Sequence, residues 1–386
     1  MSDSLSKAIK EFENQFGRPP QFVARAPGRV NLIGEHVDYN GGLVLPMAIE
    51  RCTYIAADLA THEDHSRIYS ANLKEVKQLR LDDQIPGGED HWLSYFLGVM
   101  RLFPASIPNL DVVIYSEIPI GAGLSSSAAL EVALLKVLEA VSGVYLDPLE
   151  GALLCQQAEN EFAGVPCGMM DQVASMVGRK DHAVLIDCAQ PTFEFIDGFN
   201  DDISFLIVNS MQSHSLAAGA YAERRSECEK VASILGVESL ACSSVDELNS
   251  RQQGIPPGLF RRARHVLTEI ERVNQFIDLI YKQDWVGAGM ILYQSHQSLR
   301  DDFEVSAPGL DTLVEIAEEI GVAEGVFGCR MTGGGFGGSV ITLVDSPFAD
   351  SVAFQFVEAY EQRVGVTPDF LLTAPAAGAA ILIPDA

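Results

Sequence analysis

The chain has 386 residues, of which 47% are hydrophobic and 20% are charged, a length and composition that suit two folded domains and exclude wholesale disorder. Its formal net charge is -27 at pH 7, and a field of that sign repels nucleic acid and anionic membranes unless a local basic patch overcomes it. The densest basic run, GLFRRARH at residues 258–265, is short, and we interpret it as a solvated helix face. We therefore expect neither a nucleic-acid partner nor a membrane partner.

Cysteine usage and the amino-terminal segment bear on the cellular compartment. Seven cysteines are spread along the chain without a CxxC pair, which fits reduced thiols in a cytosol better than a disulfide framework or a zinc site. The amino-terminal segment lacks the apolar core of a signal peptide, and no apolar stretch reaches the roughly 20 residues that span a bilayer. We expect a soluble cytoplasmic protein.

The first half of the chain mixes predicted strands and helices. It opens with an amphipathic helix that Gly17 ends, and a later helix from the ALEVALL segment ends at Gly143. Asp147 suits the N-cap of the next helix. Strand patterns lie at 21–34, 43–60, 65–73, 75–81, 110–118 and 182–188, and further helical patterns lie at 91–103 and 147–164.

The second half is mostly helical. A turn-rich stretch at 189–202 follows a shift in composition, and we place the boundary between two domains there, as 1–195 and 196–386. No internal repeat is present, and the order of elements favours α+β layers over a regular βαβ array. Strand patterns follow at 203–210 and 339–344, and helical ones at 221–235, 259–280, 285–303, 310–320 and 348–364.

The segment PIGAGLSSSAALEVA, at residues 119–133, predicts an anion site. Gly121 and Gly123 let the backbone bend and approach a ligand, and the serines at 125–127 then open a helix whose unpaired N–H groups attract negative charge. One serine hydroxyl could also bind Mg²⁺. The segment is neither a Walker A loop nor a GxGxxG turn, since it lacks lysine and has Ser126 at the third glycine position. The alternative is a serine-rich cap on a core helix.

A second glycine-rich loop, MTGGGFGG at residues 331–338, precedes a strand. Such a loop is weak evidence by itself, because a tight turn whose glycines permit close packing has the same pattern.

Polar residues cluster where the apolar run GRVNLIG breaks. Glu35 and Asp38 are three residues apart, with His36 and Tyr39 beside them. Acceptors at this spacing suit a polyol, whose hydroxyls each offer a donor. The alternatives are a metal site, although the pattern does not match zinc, and a solvated turn.

Asp171 lies among apolar residues in CGMMDQVASMVG, where a buried carboxylate needs a partner. It could cap a helix, form a salt bridge, or act as a base or an orienting acceptor for a substrate hydroxyl. Arg29 is a natural partner, since an adjacent opposite charge keeps a carboxylate ionised. Glu159, taken alone, reads as a surface glutamate.

Taken together, these segments resemble the GHMP kinase superfamily and, within it, the galactokinase family. GRVNLIGEHVDYN is similar to the galactokinase signature, PIGAGLSSSAALEVA to the superfamily's ATP loop, and CRMTGGGFGGSVITLV to its third motif. The resemblance covers nearly the whole chain in the family's order. It implies an α+β, two-domain GHMP kinase fold with an S5 domain 2-like N-terminal domain, a ferredoxin-like C-terminal domain and the active site in the cleft between them.

The resemblance also implies an activity, which is transfer of the ATP γ-phosphoryl group to the anomeric hydroxyl of galactose with the help of Mg²⁺. Asp171 matches the catalytic aspartate, and Arg29 matches the residue that stabilises the transferring phosphoryl group. Trp92 would border the adenine. The sugar would be held by Glu35, His36, Asp38, Gly168 and Tyr221, the phosphates by Gly121, Gly123, Ser125, Ser126 and Ser127, and Mg²⁺ by Ser127 and Glu159.

One departure and two alternatives remain at this point. Ser213 stands where the family usually has a basic residue, so any anion contact there is in doubt. The chain could instead phosphorylate a related sugar such as N-acetylgalactosamine, or be an inactive sensor that binds galactose and ATP. The intact SSSAA sequence at 125–129, with Arg29 and Asp171, favours an enzyme. We expect a monomer or a weak homo-oligomer.

Overall fold

The computed structural model describes residues 3–61, 64–213 and 217–382. The first part of the chain carries five helices and seven strands within those described residues. Their bounds are α1 Asp3–Phe16, β1 Phe22–Ile33, β2 Leu43–Leu59, β3 Ser66–Ser70, β4 Glu75–Leu79, α2 Trp92–Leu102, β5 Leu110–Ser116, α3 Ser126–Ser142, α4 Pro148–Ala158, α5 Met170–Val177, β6 Ala183–Asp187 and β7 Thr192–Ile196.

Gly143 and Asp147 have their predicted roles in the first part of the chain. Gly143 ends α3 in a left-handed conformation, and the Asp147 carboxylate accepts the Leu149 N–H at the start of α4.

The second part is richer in helix, as its sequence predicts. The remaining bounds are β8 Ile203–Ser213, α6 Ala217–Leu235, α7 Val245–Ser250, α8 Pro257–Tyr281, α9 Trp285–Ser298, α10 Pro308–Ile320, β9 Val326–Thr332, β10 Gly337–Asp345, α11 Ala349–Val364, β11 Asp369–Thr373 and β12 Ala380–Leu382.

Two sheets organise the described residues. The larger sheet has eight strands, in the order β12-β1-β2-β5-β3-β4, with β6 paired to β2 and β7 to β6. The smaller sheet is antiparallel, in the order β11-β8-β10-β9. Helices pack on both sheets, so the α+β class is confirmed. Among the described residues, no helix has both the length and the apolar character needed to cross a membrane.

The carboxyl-terminal strand returns to the larger sheet. In β12, Ile381 pairs with Ala24 and Leu382 with Val23, both in β1. The chain therefore contributes to the larger sheet from both of its ends. The boundary between residues 195 and 196 stays a prediction.

The basic run at residues 258–265 does not form the solvated helix face that its sequence favours. Arg262 and His265 are buried on α8. The Arg262 guanidinium pairs with Glu227 at 3.1 Å and with Glu304 at 2.5 Å. The interpretation is therefore wrong for these two side chains, because ion pairing and hydrogen bonding compensate for their removal from water.

Helix α9 and strand β9 approach each other backbone to backbone at Gly289. A Cβ at this position would lie 1.9 Å from the Phe327 carbonyl oxygen and 2.8 Å from the Gly328 nitrogen. Neither of those is the movable end of a side chain, so only glycine permits this contact. The contact fixes β9, whose far end reaches the cavities described below.

We predict that Gly289→Ala lowers the free energy of unfolding by about 1–3 kcal/mol, although alanine is the better helix former. The measurement is urea unfolding followed by circular dichroism. Gly258→Ala is the matched control, since nothing lies within 4 Å of a Cβ at that helical position. That variant should be neutral or slightly stabilising, and equal destabilisation of the two variants would contradict the explanation.

Candidate functional site

Three cavities meet where β1, α3, α5 and the loop after β9 converge. The acidic cavity, of about 410 Å³, is lined by predicted sugar-binding and catalytic residues. The loop cavity, of about 240 Å³, is lined by the 119–127 segment and by Gly333 and Gly334. The Trp92 cavity, of about 230 Å³, lies beyond it. Around the acidic cavity stand Arg29, Glu35, His36, Asp38, Glu159, Gly168, Asp171 and Tyr221.

Arg29 and Asp171 form a two-pronged ion pair between the acidic cavity and the loop cavity. The Arg29 Nε–Asp171 Oδ1 distance is 2.7 Å, and the Nη2–Oδ2 distance is 2.6 Å. Arg29 also donates to the Gly123 carbonyl at 2.8 Å, and the Ser125 hydroxyl donates to Asp171 Oδ2 at 2.5 Å. Only 5% of Arg29 is exposed, and the residue lines both cavities. The predicted pairing of these two residues is therefore confirmed.

Glu35 is held from the smaller sheet. Its Oε1 atom accepts the Gly333 N–H at 2.7 Å, the Thr332 hydroxyl at 3.0 Å and the Arg330 guanidinium at 3.2 Å. Arg330 is fully buried and also donates to the Leu32 carbonyl at 2.6 Å. These donors stabilise a carboxylate that is almost completely removed from water.

His36 is neutral and its ring is fixed by two hydrogen bonds. Its Nε2 lies 3.2 Å from the Gly334 carbonyl oxygen, which can only accept, so Nε2 carries the proton. Nδ1 then accepts the Tyr39 hydroxyl at 2.8 Å. Burial lowers the pKa of His36 to about 3, which keeps the imidazole uncharged. The ring lies against Tyr221, with 5.4 Å between ring centroids.

Asp38 and Gly168 lie against each other in the wall of the acidic cavity. A Cβ at position 168 would lie 2.1 Å from Asp38 Oδ2, so glycine is required for this approach. Burial, together with the charges of Asp171 and Glu35, raises the pKa of Asp38 to about 6. Hydrogen-bond donors of a ligand would stabilise the Asp38 carboxylate.

The 119–125 loop bends as its glycines predict. Gly121, Gly123 and Ser125 have φ values of 78°, 76° and 57°, all in the left-handed region, and α3 begins at Ser126. The free N–H groups at the start of α3 thus point toward the loop cavity. Gly333, from the second glycine-rich loop, lines the same cavity beside Gly123.

Glu159 is buried, with 6% of its surface exposed, so its interpretation as a surface glutamate is wrong. It opens a π-helical turn, Glu159–Ala163, after α4, and such turns aim side chains at functional sites. Its Oε1 accepts the Ser127 hydroxyl at 3.2 Å, and its Oε2 accepts the Gln172 amide at 2.6 Å. Burial, reinforced by Asp171, raises the pKa of Glu159 to about 7.

The Ser127 and Glu159 oxygens fit Mg²⁺, which prefers oxygen ligands and is commonly held by one or two protein groups plus phosphates and water. Glu131 Oε1 lies nearby, buried and without a hydrogen-bond partner among the described residues. The described residues contain no cluster of three or more His, Cys, Asp or Glu side chains arranged to hold a metal. A site for this ion would therefore need ligand phosphates to complete it.

The Trp92 cavity is mainly apolar. Its apolar lining includes Trp92, Tyr95, Ile118 and Leu130. It shares Ser126 and Ser127 with the loop cavity. Ile120, at its rim, is 79% exposed. A flat apolar ligand could be held here beside the start of α3.

Sequence reasoning missed four residues that shape the acidic cavity, which are Arg330, Thr332, Gly333 and Gly334. The signal for the last three was present in the MTGGGFGG loop. Arg330 lies in the third motif, CRMTGGGFGGSVITLV, but an arginine in a strand gives no indication of its partner. The Ser213 side chain lies outside the described residues.

Three family models match the chain. The galactokinase galactose-binding signature matches residues 10–59, and the N-terminal and C-terminal domains of GHMP kinases match residues 94–179 and 276–362. The first match contains Arg29, Glu35, His36 and Asp38, and the second contains the 119–127 segment and Asp171.

Known proteins match over almost the full length. Human galactokinase is 40% identical over 390 residues, covering 99% of this chain and 97% of that protein. The crystal structure of Lactococcus lactis galactokinase complexed with galactose superposes with a TM-score of 0.91 at 32% identity, covering 98% of this chain and all of that one. Methanococcus jannaschii mevalonate kinase shares the fold, with a TM-score of 0.66 and 22% identity over 93% of this chain and 99% of that one. The expected two-domain GHMP kinase fold is confirmed.

We predict that Asp38→Asn raises the free energy of unfolding of the ligand-free protein by about 1–2 kcal/mol at pH 7, because it removes a buried carboxylate whose charge Arg29 offsets only in part. The folded-state pKa of Asp38, about 6, exceeds the ordinary aspartate value of 3.8. The ionised Asp38 carboxylate therefore destabilises the folded protein fully above pH 6 and not at all below about pH 4.

The gain from Asp38→Asn should accordingly shrink as the pH falls from 7 to 4, measured by urea unfolding at each pH. Asp82→Asn, at an exposed carboxylate, is the control and should change stability by no more than about 0.5 kcal/mol. A gain that is independent of pH would contradict the assignment.

Proposed function

The chain belongs to the galactokinase family, and we propose that it transfers the γ-phosphoryl group of ATP to the anomeric hydroxyl of D-galactose, giving galactose 1-phosphate and ADP. One observation carries this proposal. The Arg29–Asp171 pair forms a wall common to the acidic cavity, which suits a polyol, and to the loop cavity, which suits phosphates. An acceptor hydroxyl and a phosphoryl group can thus meet at one carboxylate.

Asp171 is the group that receives the acceptor hydroxyl. Within the described residues its Oδ1 accepts only from Arg29 Nε, so this oxygen retains a lone pair for a sugar hydroxyl. The carboxylate orients the hydroxyl oxygen toward phosphorus and takes its proton as the new bond forms. Phosphoryl transfer has a loose transition state, so alignment matters more than base strength.

Arg29 stabilises the transferring phosphoryl group. Its guanidinium is held by Asp171 on one side and by the Gly123 carbonyl on the other, and both contacts fix it before substrates arrive. A cation that is already oriented stabilises developing negative charge without reorganisation. The positive end of α3 acts on the same charge.

The sugar lies in the acidic cavity. Glu35 and Asp38 accept hydrogen bonds from its hydroxyls, and His36 and Tyr221 shape the wall around them. Gly168 leaves room beside Asp38. The proposed preference for galactose rests on membership of the family.

ATP binds with its phosphates against Gly121, Gly123, Ser125 and Ser126, and with its adenine in the Trp92 cavity. Ser127 and Glu159 would hold Mg²⁺, and the bound ion would neutralise phosphate charge and polarise the phosphoryl group. The proposal includes the predicted cytoplasmic location and a monomer or weak homo-oligomer.

A coupled ADP-release assay against galactose, N-acetylgalactosamine, glucose, mannose and arabinose tests the substrate. Turnover with galactose above the other sugars is expected. Turnover with N-acetylgalactosamine alone would make the chain a kinase of a related sugar. Binding of galactose and ATP without turnover would make it a sensor.

We predict that Asp171→Ala abolishes turnover and that Asp171→Asn lowers kcat by at least about a hundredfold, because proton acceptance and orientation are lost. Both variants should fold with a lowered melting temperature, since Arg29 loses a buried partner. Asp147→Asn is the control, since asparagine caps helices as well as aspartate does. Turnover of Asp171→Ala within tenfold of the wild type would refute the role.

We predict that Glu159→Gln raises the Mg²⁺ concentration for half-maximal activity by about tenfold or more, because a charged oxygen ligand is lost. The dissociation constant for galactose, measured by calorimetry without nucleotide, should stay within about twofold. An unchanged Mg²⁺ requirement would remove Glu159 from the metal site.

A further inference from the structure

Helix α8 lies behind the loop that presents Glu35 and His36 to the acidic cavity. Its residues Glu269 and His265 are completely buried. Neither of them is among the residues that line the acidic cavity. Both come from the carboxyl-terminal half of the chain, and the basic run at 258–265 ends at His265. The function proposed above gives neither residue a role.

Glu269 holds backbone donors of the loop. Its Oε1 accepts the Gly34 N–H at 3.1 Å, and the Glu35 N–H lies 3.4 Å from the same oxygen. The Ser295 hydroxyl on α9 donates to this oxygen as well, at 2.7 Å. Hydrogen bonds from backbone N–H groups to a carboxylate are among the stronger hydrogen bonds of proteins.

His265 holds the next backbone acceptor. Its Nε2 lies 3.1 Å from the Glu35 carbonyl oxygen, which can only accept, so Nε2 is the protonated nitrogen. Nδ1 then accepts the Ser298 hydroxyl at 2.9 Å. Glu35 is therefore bound at both its N–H and its C=O by one helix.

The loop needs such support because its backbone is strained. Gly34 has a φ of 98° and His36 a φ of 61°, so two of three consecutive residues adopt left-handed conformations. A Cβ at position 34 would lie 2.8 Å from the Leu43 carbonyl oxygen. For a non-glycine residue such as His36, this conformation persists only where the surroundings hold it.

The ionisation of Glu269 is secured on its other side. Arg272 Nε donates to Glu269 Oε2 at 2.7 Å. Burial alone would raise the pKa of Glu269, but the charges of Arg272 and Arg330 and the hydrogen bond from Ser295 outweigh burial and lower it to about 2. The group that faces the Gly34 and Glu35 N–H donors is therefore a carboxylate.

We propose that Glu269 and His265 are positioning residues for the sugar acceptor. They fix the Gly34–Glu35 backbone from behind, so that the side chains of Glu35 and His36 face the acidic cavity, and they set the affinity for the sugar without touching it. This inference rests on the proposed function, since it concerns the sugar side of that site. The inference predicts an effect on sugar binding and none on ATP binding, because neither residue lines the loop cavity or the Trp92 cavity.

The test compares Glu269→Ala, Glu269→Gln and Ile280→Ala with the wild type. Glutamine keeps an oxygen acceptor for the Gly34 N–H and serves as the conservative rescue. Ile280 is buried on the same helix, away from the loop, so Ile280→Ala controls for general destabilisation of α8. The readouts are KM for galactose and for ATP, the calorimetric dissociation constant for galactose, and the melting temperature.

We expect Glu269→Ala to weaken galactose binding and raise its KM by about tenfold, which is the effect of leaving a buried donor unpaired. KM for ATP should stay within about twofold. Glu269→Gln should recover most of the galactose affinity, and Ile280→Ala should lower the melting temperature alone. If Glu269→Ala does not fold, His265→Ala takes its place, with the same expected split between the two substrates.

The inference is overturned if the two KM values rise together, if neither changes, or if Ile280→Ala weakens galactose binding as much as Glu269→Ala does. Failure of the proposed function is a separate result. In that case the wild type itself shows no turnover with galactose. If the wild type phosphorylates galactose and the variants have unchanged KM values for galactose, only the positioning role is rejected.

Discussion

The site depends on one ion pair, between the buried Arg29 and the partly exposed Asp171. Burying a guanidinium is costly unless its partner is well placed, and here both carboxylate oxygens of Asp171 are engaged at 2.6–2.7 Å. The pair joins β1 to α5 and, through the Gly123 carbonyl and the Ser125 hydroxyl, to the glycine-serine loop. It therefore places the acidic cavity and the loop cavity on two sides of the same two charges.

Both halves of the chain contribute to the acidic cavity. The loop after β1 supplies Glu35, His36 and Asp38, but the groups that hold this loop belong to β9 and α8. Arg330 fixes the Glu35 carboxylate while His265 fixes its carbonyl group. Burial raises the pKa values of Asp38 and Glu159. Glu269 has a lowered pKa in spite of its burial, because Arg272 and Arg330 stabilise its charge.

The sequence predicted the motifs of the site but not the residues that hold those motifs in place. Gly121, Gly123 and the serines predicted the bend and the helix start, because those residue types have local conformational preferences. Glu159 read as a surface residue because its burial depends on a π-helical turn that the helical pattern does not reveal. The sequence suggested solvated side chains for Arg262 and His265 because their partners lie 33 or more residues away along the chain. Distant polar pairing leaves no local pattern.

The most direct test of the account is the structure of a ternary complex with galactose and a non-hydrolysable ATP analogue, in the presence of Mg²⁺. The account predicts the anomeric oxygen within hydrogen-bond distance of the Asp171 carboxylate, with the γ-phosphate beside Arg29 and the remaining hydroxyls toward Glu35 and Asp38. A different hydroxyl at Asp171, or an anomeric oxygen directed away from the phosphate, would contradict it.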